Sequence, residues 1–146
     1  MKTEIHELDD ILNSFIAYTK KTTIDWDSKP HADKWSNKEI IGHLCDSAQV
    51  NLQRFIRCTY ESGFKLIYHQ DEWVNVQHYR DAPPDDVLTL WLLLNKQIIR
   101  VWKNYPAERL QARCDNSRDG VSLHTVEELA IDYVAHLKHH LQQVTG

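Results

Sequence analysis

The chain is 146 residues long, 42% apolar and 26% charged, with a formal charge of −4, which fits one globular domain over residues 1–146 that builds a core without staples. Lys and Arg are scattered, not clustered, which argues against a nucleic-acid surface. No apolar run approaches a membrane span, and Glu4 and Glu7 break up the N-terminal stretch where a signal peptide needs an apolar core, so a cytoplasmic protein without membrane contact is expected.

Apolar residues Ile5, Leu8, Ile11, Leu12, Phe15 and Ile16 recur at three- and four-residue steps and predict a first helix from about Thr3 to Lys20. The stretch from Thr22 to Trp35 has turn formers around Asp25-Trp26-Asp27-Ser28-Lys29-Pro30 and no period, so it reads as a loop anchored by two tryptophans. Ser36-Asn37-Lys38-Glu39 is a capping box that opens a second helix. Ile41, Leu44, Cys45, Ala48, Leu52, Phe55 and Ile56 form its apolar stripe, and Gly63 marks its end. At about 100° per residue, His43 lies away from the centre of that stripe beside Glu39, Asp46, Ser47 and Arg54. Such a histidine is either simply exposed or faces a wet groove as a ligand.

The connection from Phe64 to Asp86 is too long for a tight turn, and connections of this length usually carry function or cover something. Within it, Asp71 to Tyr79 fits a short amphipathic helix. A third long helix begins at Pro84 or Asp85, with acids in its first turn that suit the helix dipole, and runs to about Tyr105. Its first half is apolar almost all round, so it needs cover on more than one side. A second copy of the chain would supply that cover, giving a homodimer, and so would the long connection. Asp115-Asn116-Ser117-Arg118-Asp119-Gly120 is a turn cluster with room for short extended pieces on either side. Thr125-Val126-Glu127-Glu128 is a second capping box, and it launches the fourth helix through Leu141.

The chemistry concentrates in that last helix. Nine histidines is a high count, and His136 and His140 stand four apart, on one face of a helix, where they can chelate one ion. His43 is the candidate third donor. Asp132, one turn before His136, and Asp46, beside His43, are placed to receive a ring N–H and fix the ligand tautomer. His139 falls about 60° to the other side of His136 and reads as a solvent-facing neighbour. The thiols Cys45, Cys58 and Cys114 lack CxxC spacing and are odd in number, so they read as reduced. Cys45 lies in an apolar stripe that disfavours its ionisation, which removes it as a nucleophile. No general acid or base is evident, and no catalytic residue is assigned beyond the ligands.

The segments Trp35 to Ser47, Asn51-Leu52-Gln53-Arg54, Gln70 to Val74 and Asp132 to His140, in this order, resemble the DinB-like (YfiT-like) superfamily of metal-binding bundles. The resemblance covers essentially the whole chain and implies an all-α, up-down four-helix bundle with a long crossover from the second helix to the third. It implies a divalent metal, zinc or nickel foremost and iron as well, held by His43, His136 and His140. It also implies a homodimer and a transferase that uses a low-molecular-weight thiol on an electrophilic substrate. The same open three-histidine site would equally serve a metal-hydroxide hydrolase or a metal- or ligand-binding protein without turnover.

Overall fold

The computed structural model describes residues 1–31 and 34–146; positions 32 and 33 of the first loop lie outside the described residues. Four long helices build the bundle: α1 (Lys2–Lys21), α2 (Asn37–Arg57), then, beyond the short α3 (Gln70–Gln77), α4 (Pro84–Lys103) and α5 (Val126–Thr145). The two helices that carry the histidines both start on capping boxes. Glu39 N donates to Ser36 Oγ at 3.2 Å and Ser36 N to Glu39 Oε1 at 3.0 Å, while Thr125 and Glu128 repeat the exchange at the head of α5. These pairs satisfy amides that a helix start leaves without partners, and so fix where each helix begins.

Both α1 and α2 pack against α4 and α5. Cys45 meets the Val87 carbonyl at one end of the α2–α4 contact, and Tyr105 Oη donates to the Phe55 carbonyl at the other, so these two helices run parallel. Lys138 pairs with Glu7 and Tyr18 Oη reaches the Thr145 carbonyl, so α1 and α5 are parallel too. His43 faces His136 and His140 while Phe55 faces Tyr133, which makes α2 and α5 antiparallel. The order is therefore up, down, down, up, and not the alternating up-down order expected from the sequence. The reason lies in residues 58–83, which are long enough to return the chain to the end where α2 began.

The expectation of an all-α chain also needs correction. Short strands β1 (Phe64–Lys65), β2 (Arg113–Asp115) and β3 (Leu123–Thr125) form a three-stranded sheet, with β1 parallel to β2 and β2 antiparallel to β3. β1 follows the end of α2, and β3 runs directly into α5. The sheet thus ties the C-terminus of α2 to the N-terminus of α5 and sets the register between them.

Trp91, Trp102, Phe55, Leu8, Leu12, Ile41 and Leu137 fill the core. Asn95 is buried among them, donating to the Trp91 carbonyl at 2.8 Å and accepting from Tyr133 Oη at 2.5 Å. The connection between α2 and α4 packs chiefly on α2. The surplus apolar face of α4 is not covered by it, and Leu90 and Leu93 stay 40% and 57% exposed. Among the described residues no helix is long and apolar enough to cross a membrane.

What that connection covers is the polar side of α2. Lys38 Nζ donates to the carbonyls of Arg80 and Ala82 at 2.8 and 2.9 Å, and Tyr79 lays its ring against the helix backbone at Gly42. A Cβ on Gly42 would overlap that ring, which cannot swing away because its hydroxyl donates to Asp46 Oδ1 at 2.6 Å. Alanine in an open helix interior stabilises by about 1 kcal/mol over glycine, but here overpacking dominates. Gly42→Ala should destabilise the protein by about 1–3 kcal/mol, read as a lower midpoint in urea unfolding; a gain would contradict the close approach.

Candidate metal centre

α2 and α5 cross their histidines in the half of the bundle far from the sheet. His43 is fully buried, so of its two sequence readings simple exposure is excluded, and its groove is not open to water at this ring; His136 and His140 are half-buried. The ring centroids stand 5.1 Å (His43–His136), 4.8 Å (His43–His140) and 4.5 Å (His136–His140) apart, each pair near perpendicular. One donor atom from each ring lies within 4.8 Å of the others, and among the described residues no carboxylate or thiol joins them.

The side chains around the rings determine which nitrogens are free. Tyr68 Oη is 3.3 Å from the His43 backbone carbonyl and 2.9 Å from its Nδ1. With the hydroxyl proton directed to the carbonyl, Nδ1–H donates to Oη and the lone pair of His43 is left on Nε2. His140 Nδ1 donates likewise to Gln143 Oε1 at 3.0 Å, freeing its Nε2. The tyrosine ring stacks on His43 at 6° and 5.7 Å, and Trp35 covers His43 from another side at 4.5 Å.

The carboxylates expected beside the ligands serve elsewhere. Asp46 Oδ1 accepts from Tyr79 Oη and from Gln77 Nε2 at 2.7 Å, so it braces the connection and does not orient His43. Asp132 is exposed, makes no hydrogen bond to His136 and lines a pocket together with it. Tyr68 and Gln143 take the roles expected of those acids. Gln143 was discoverable from its i, i+3 spacing to His140, whereas Tyr68 sits in a segment without period. His139 is exposed, as expected.

Burial drives all three imidazoles toward the neutral form. Desolvation, followed by the other two rings, lowers His43 to about 3; desolvation with His140 and His139 lowers His136 to about 4; His140 also falls, chiefly by desolvation. Neutral imidazole is the form that binds metal.

This donor set fits a divalent cation. The Nε2 atoms of His43 and His136 are 3.3 Å apart, and two imidazoles on one tetrahedral zinc, with bonds of about 2.0–2.1 Å, hold their nitrogens about 3.3–3.4 Å apart. Three neutral nitrogens would leave a cation its charge and an open position. Two spaces adjoin the cluster. A cleft of about 780 Å³ borders Trp35, His140 and Gln143, and a pocket of about 210 Å³ borders His136 and Tyr68, with Gln70 lining both.

A helical bundle with three convergent histidines from two antiparallel helices defines the general class. The chain belongs to the DinB superfamily, whose family model matches residues 5–144. It is similar in fold to YfiT from Bacillus subtilis, with 20% sequence identity, 99% of this chain and 83% of that chain covered, and a TM-score of 0.87. YfiT is described as a probable metal-dependent hydrolase with an unusual four-helix bundle topology. A search of curated proteins finds no match.

Two outcomes follow from this geometry. Tyr68→Phe removes the hydroxyl that holds the His43 tautomer and should weaken zinc binding about 10–100-fold, measured by competition with a chromophoric chelator, while the melting temperature changes little. In metal-free protein the unfolded chain titrates its histidines near 6.5, above the folded values for His43 and His136. The unfolded state therefore binds more protons in that window, and stability should be complete above pH 6.5 and decline as the pH falls toward 4. Thermal melts in chelator across this range check it, and His43→Gln should flatten the slope.

Proposed function

We propose that the chain is a divalent-metal-dependent enzyme that transfers a low-molecular-weight thiol to an electrophilic small molecule, with His43, His136 and His140 as the metal ligands. The observation that carries this reading is the convergence of three neutral imidazoles with two of their tautomers fixed. Imidazole suits zinc, nickel and iron alike, and zinc or nickel is the first expectation. When bound, a divalent cation supplies Lewis acidity that lowers the pKa of a thiol reaching it, so that sulfur is nucleophilic near neutral pH.

The chain's own thiols are unsuited to that part. Cys45, Cys58 and Cys114 are all buried, and burial pushes Cys45 far up, Cys58 up to about 11 and Cys114 up as well. Reactive sulfur must therefore come from a cosubstrate. Trp35 shields His43 while the cleft beside His140 stays open, giving a small molecule a way in. Among the described residues no carboxylate joins the donor cluster, and a thiol ionised by the metal is a nucleophile that needs no further base.

A hydrolase is the second reading, supported by the likeness to YfiT, the probable metal-dependent hydrolase. The proposal includes a homodimer formed over the exposed Leu90 and Leu93 of α4, and a cytoplasmic setting, which suits three unpaired thiols. Gel filtration tests the first of these, since a monomer would remove the dimer.

The decisive experiment loads the protein with zinc or nickel and follows conjugation of small thiols to an activated aromatic halide. Turnover should require both metal and thiol, and His136→Ala should abolish it while weakening metal binding by more than about 100-fold, beyond the usual loss of an outer partner. Full activity in that variant would sink the reading. Ester cleavage without thiol would establish the hydrolase, and metal binding without either reaction would leave a binding protein.

A further inference from the structure

The polar stripe of α2 continues past His43. Ser47, Asn51 and Arg54 follow at steps of four, four and three residues, which keeps them on one helix face, and they line the 210 Å³ pocket together with His136 and Tyr68. Arg54 is only 6% exposed. Its Nη2 donates to the Leu66 carbonyl at 2.6 Å and its Nη1 to Asn51 Oδ1 at 3.4 Å, while Nε is shut off from solvent with no acceptor. A guanidinium has five N–H donors, so most of this one is unspent. None of the ion pairs among the described residues includes Arg54.

A buried cation with no counter-charge is costly, and arginine does not escape the cost by losing its proton. Bracing Leu66 and Asn51 beside the Cys114 thiol does not explain it, since neutral donors would serve those partners without burying a charge. Asp132 lines the same pocket but forms no ion pair with Arg54, so the guanidinium is left without an anionic partner.

We propose that this pocket binds the carboxylate of a small substrate against Arg54, with the reacting part of that substrate toward His136. The substrate assignment rests on the reading of the three-histidine cluster as a reaction centre. A singly charged carboxylate fits better than a phosphate dianion for two reasons. The pocket holds one cation, and Asp132, which also lines it, carries a negative charge that repels a dianion about twice as strongly as a monoanion. Ser47 and Asn51 on the same wall add neutral polar contacts and no further positive charge.

The test uses the full chain and two pairs of probes, titrated by calorimetry. Propionate and propanamide are compared on metal-free protein, and 3-mercaptopropionate and 3-mercaptopropanamide on zinc-loaded protein. Each acid should bind at least about tenfold tighter than its amide, the size expected of a charge-assisted hydrogen bond. Arg54→Gln should bring that ratio to about one while leaving amide binding unchanged, a split that loss of a structural brace would not produce. Asp132→Asn, at an exposed position, should raise acid affinity about two- to threefold and leave the amides alone, which keeps the question decidable should Arg54→Gln fail to fold. Equal binding of acid and amide, a preference that survives Arg54→Gln, an unchanged preference in Asp132→Asn, or tighter binding of inorganic phosphate would overturn the proposal. If zinc fails to bind while the propionate preference persists, the metal reading falls and the carboxylate pocket stands; if zinc binds without any preference, the reverse holds.

Discussion

The structure turns on two imidazole nitrogens, one from α2 and one from α5, held 3.3 Å apart in a place where neither ring can readily take a proton. At that distance one ring donates an N–H to the lone pair of the other, and burial keeps both neutral because a desolvated imidazolium is costly. The contact persists because the surrounding protein holds it, and three features of the fold do so: the capping boxes that fix where each helix begins, the small sheet that sets their register, and the connection that lies over the polar side of α2.

The parallel pairing of α2 and α4 explains that connection. An alternating bundle joins neighbours by short turns and leaves the outer face of the second helix to solvent. Here the chain must travel back along α2, and on the way it delivers Tyr68, Tyr79 and Arg80 to the helix's N-terminal half. Tyr68 fixes the His43 ring, Tyr79 presses on Gly42 and holds Asp46, and the Arg80 carbonyl receives Lys38. The topology and the site therefore share one cause. A helix with a polar side is tolerated inside the protein because the returning segment supplies partners to Lys38, His43, Asp46 and Arg54 along it.

Much of this was legible in the sequence, for identifiable reasons. Periodicity located the four long helices, and the two Ser/Thr-x-x-Glu boxes located the starts of α2 and α5 correctly. His136 and His140 were legible because a four-residue step needs only helix geometry to bring two rings together. His43 was half-legible: its angle placed it off the apolar stripe, but pattern alone does not distinguish a polar face in water from one sealed by another segment. The same ambiguity hid the burial of Asp46 and Arg54. Asp46 and Asp132 were assigned by proximity in sequence to roles that Tyr68 and Gln143 perform, since a carboxylate one turn away reaches its histidine only if nothing better placed competes. The helix order was illegible because hydrophobic stripes specify which faces are covered and not which helix covers them. The extended pieces flanking the 115–120 turn are β2 and β3, while β1 and the pairing of the three into a sheet were illegible because strands of two and three residues are too short to show alternation.

The sealed cysteines carry a consequence for durability. On the proposed reading, an enzyme that gathers electrophiles near activated sulfur would risk arylating itself, and an accessible thiolate on its own surface would be the first casualty. With Cys45, Cys58 and Cys114 enclosed and held as thiols, the polypeptide offers such reagents no soft nucleophile of its own. Such an enzyme would tolerate compounds that poison a protein with one open sulfhydryl, and core packing would be the source of that tolerance.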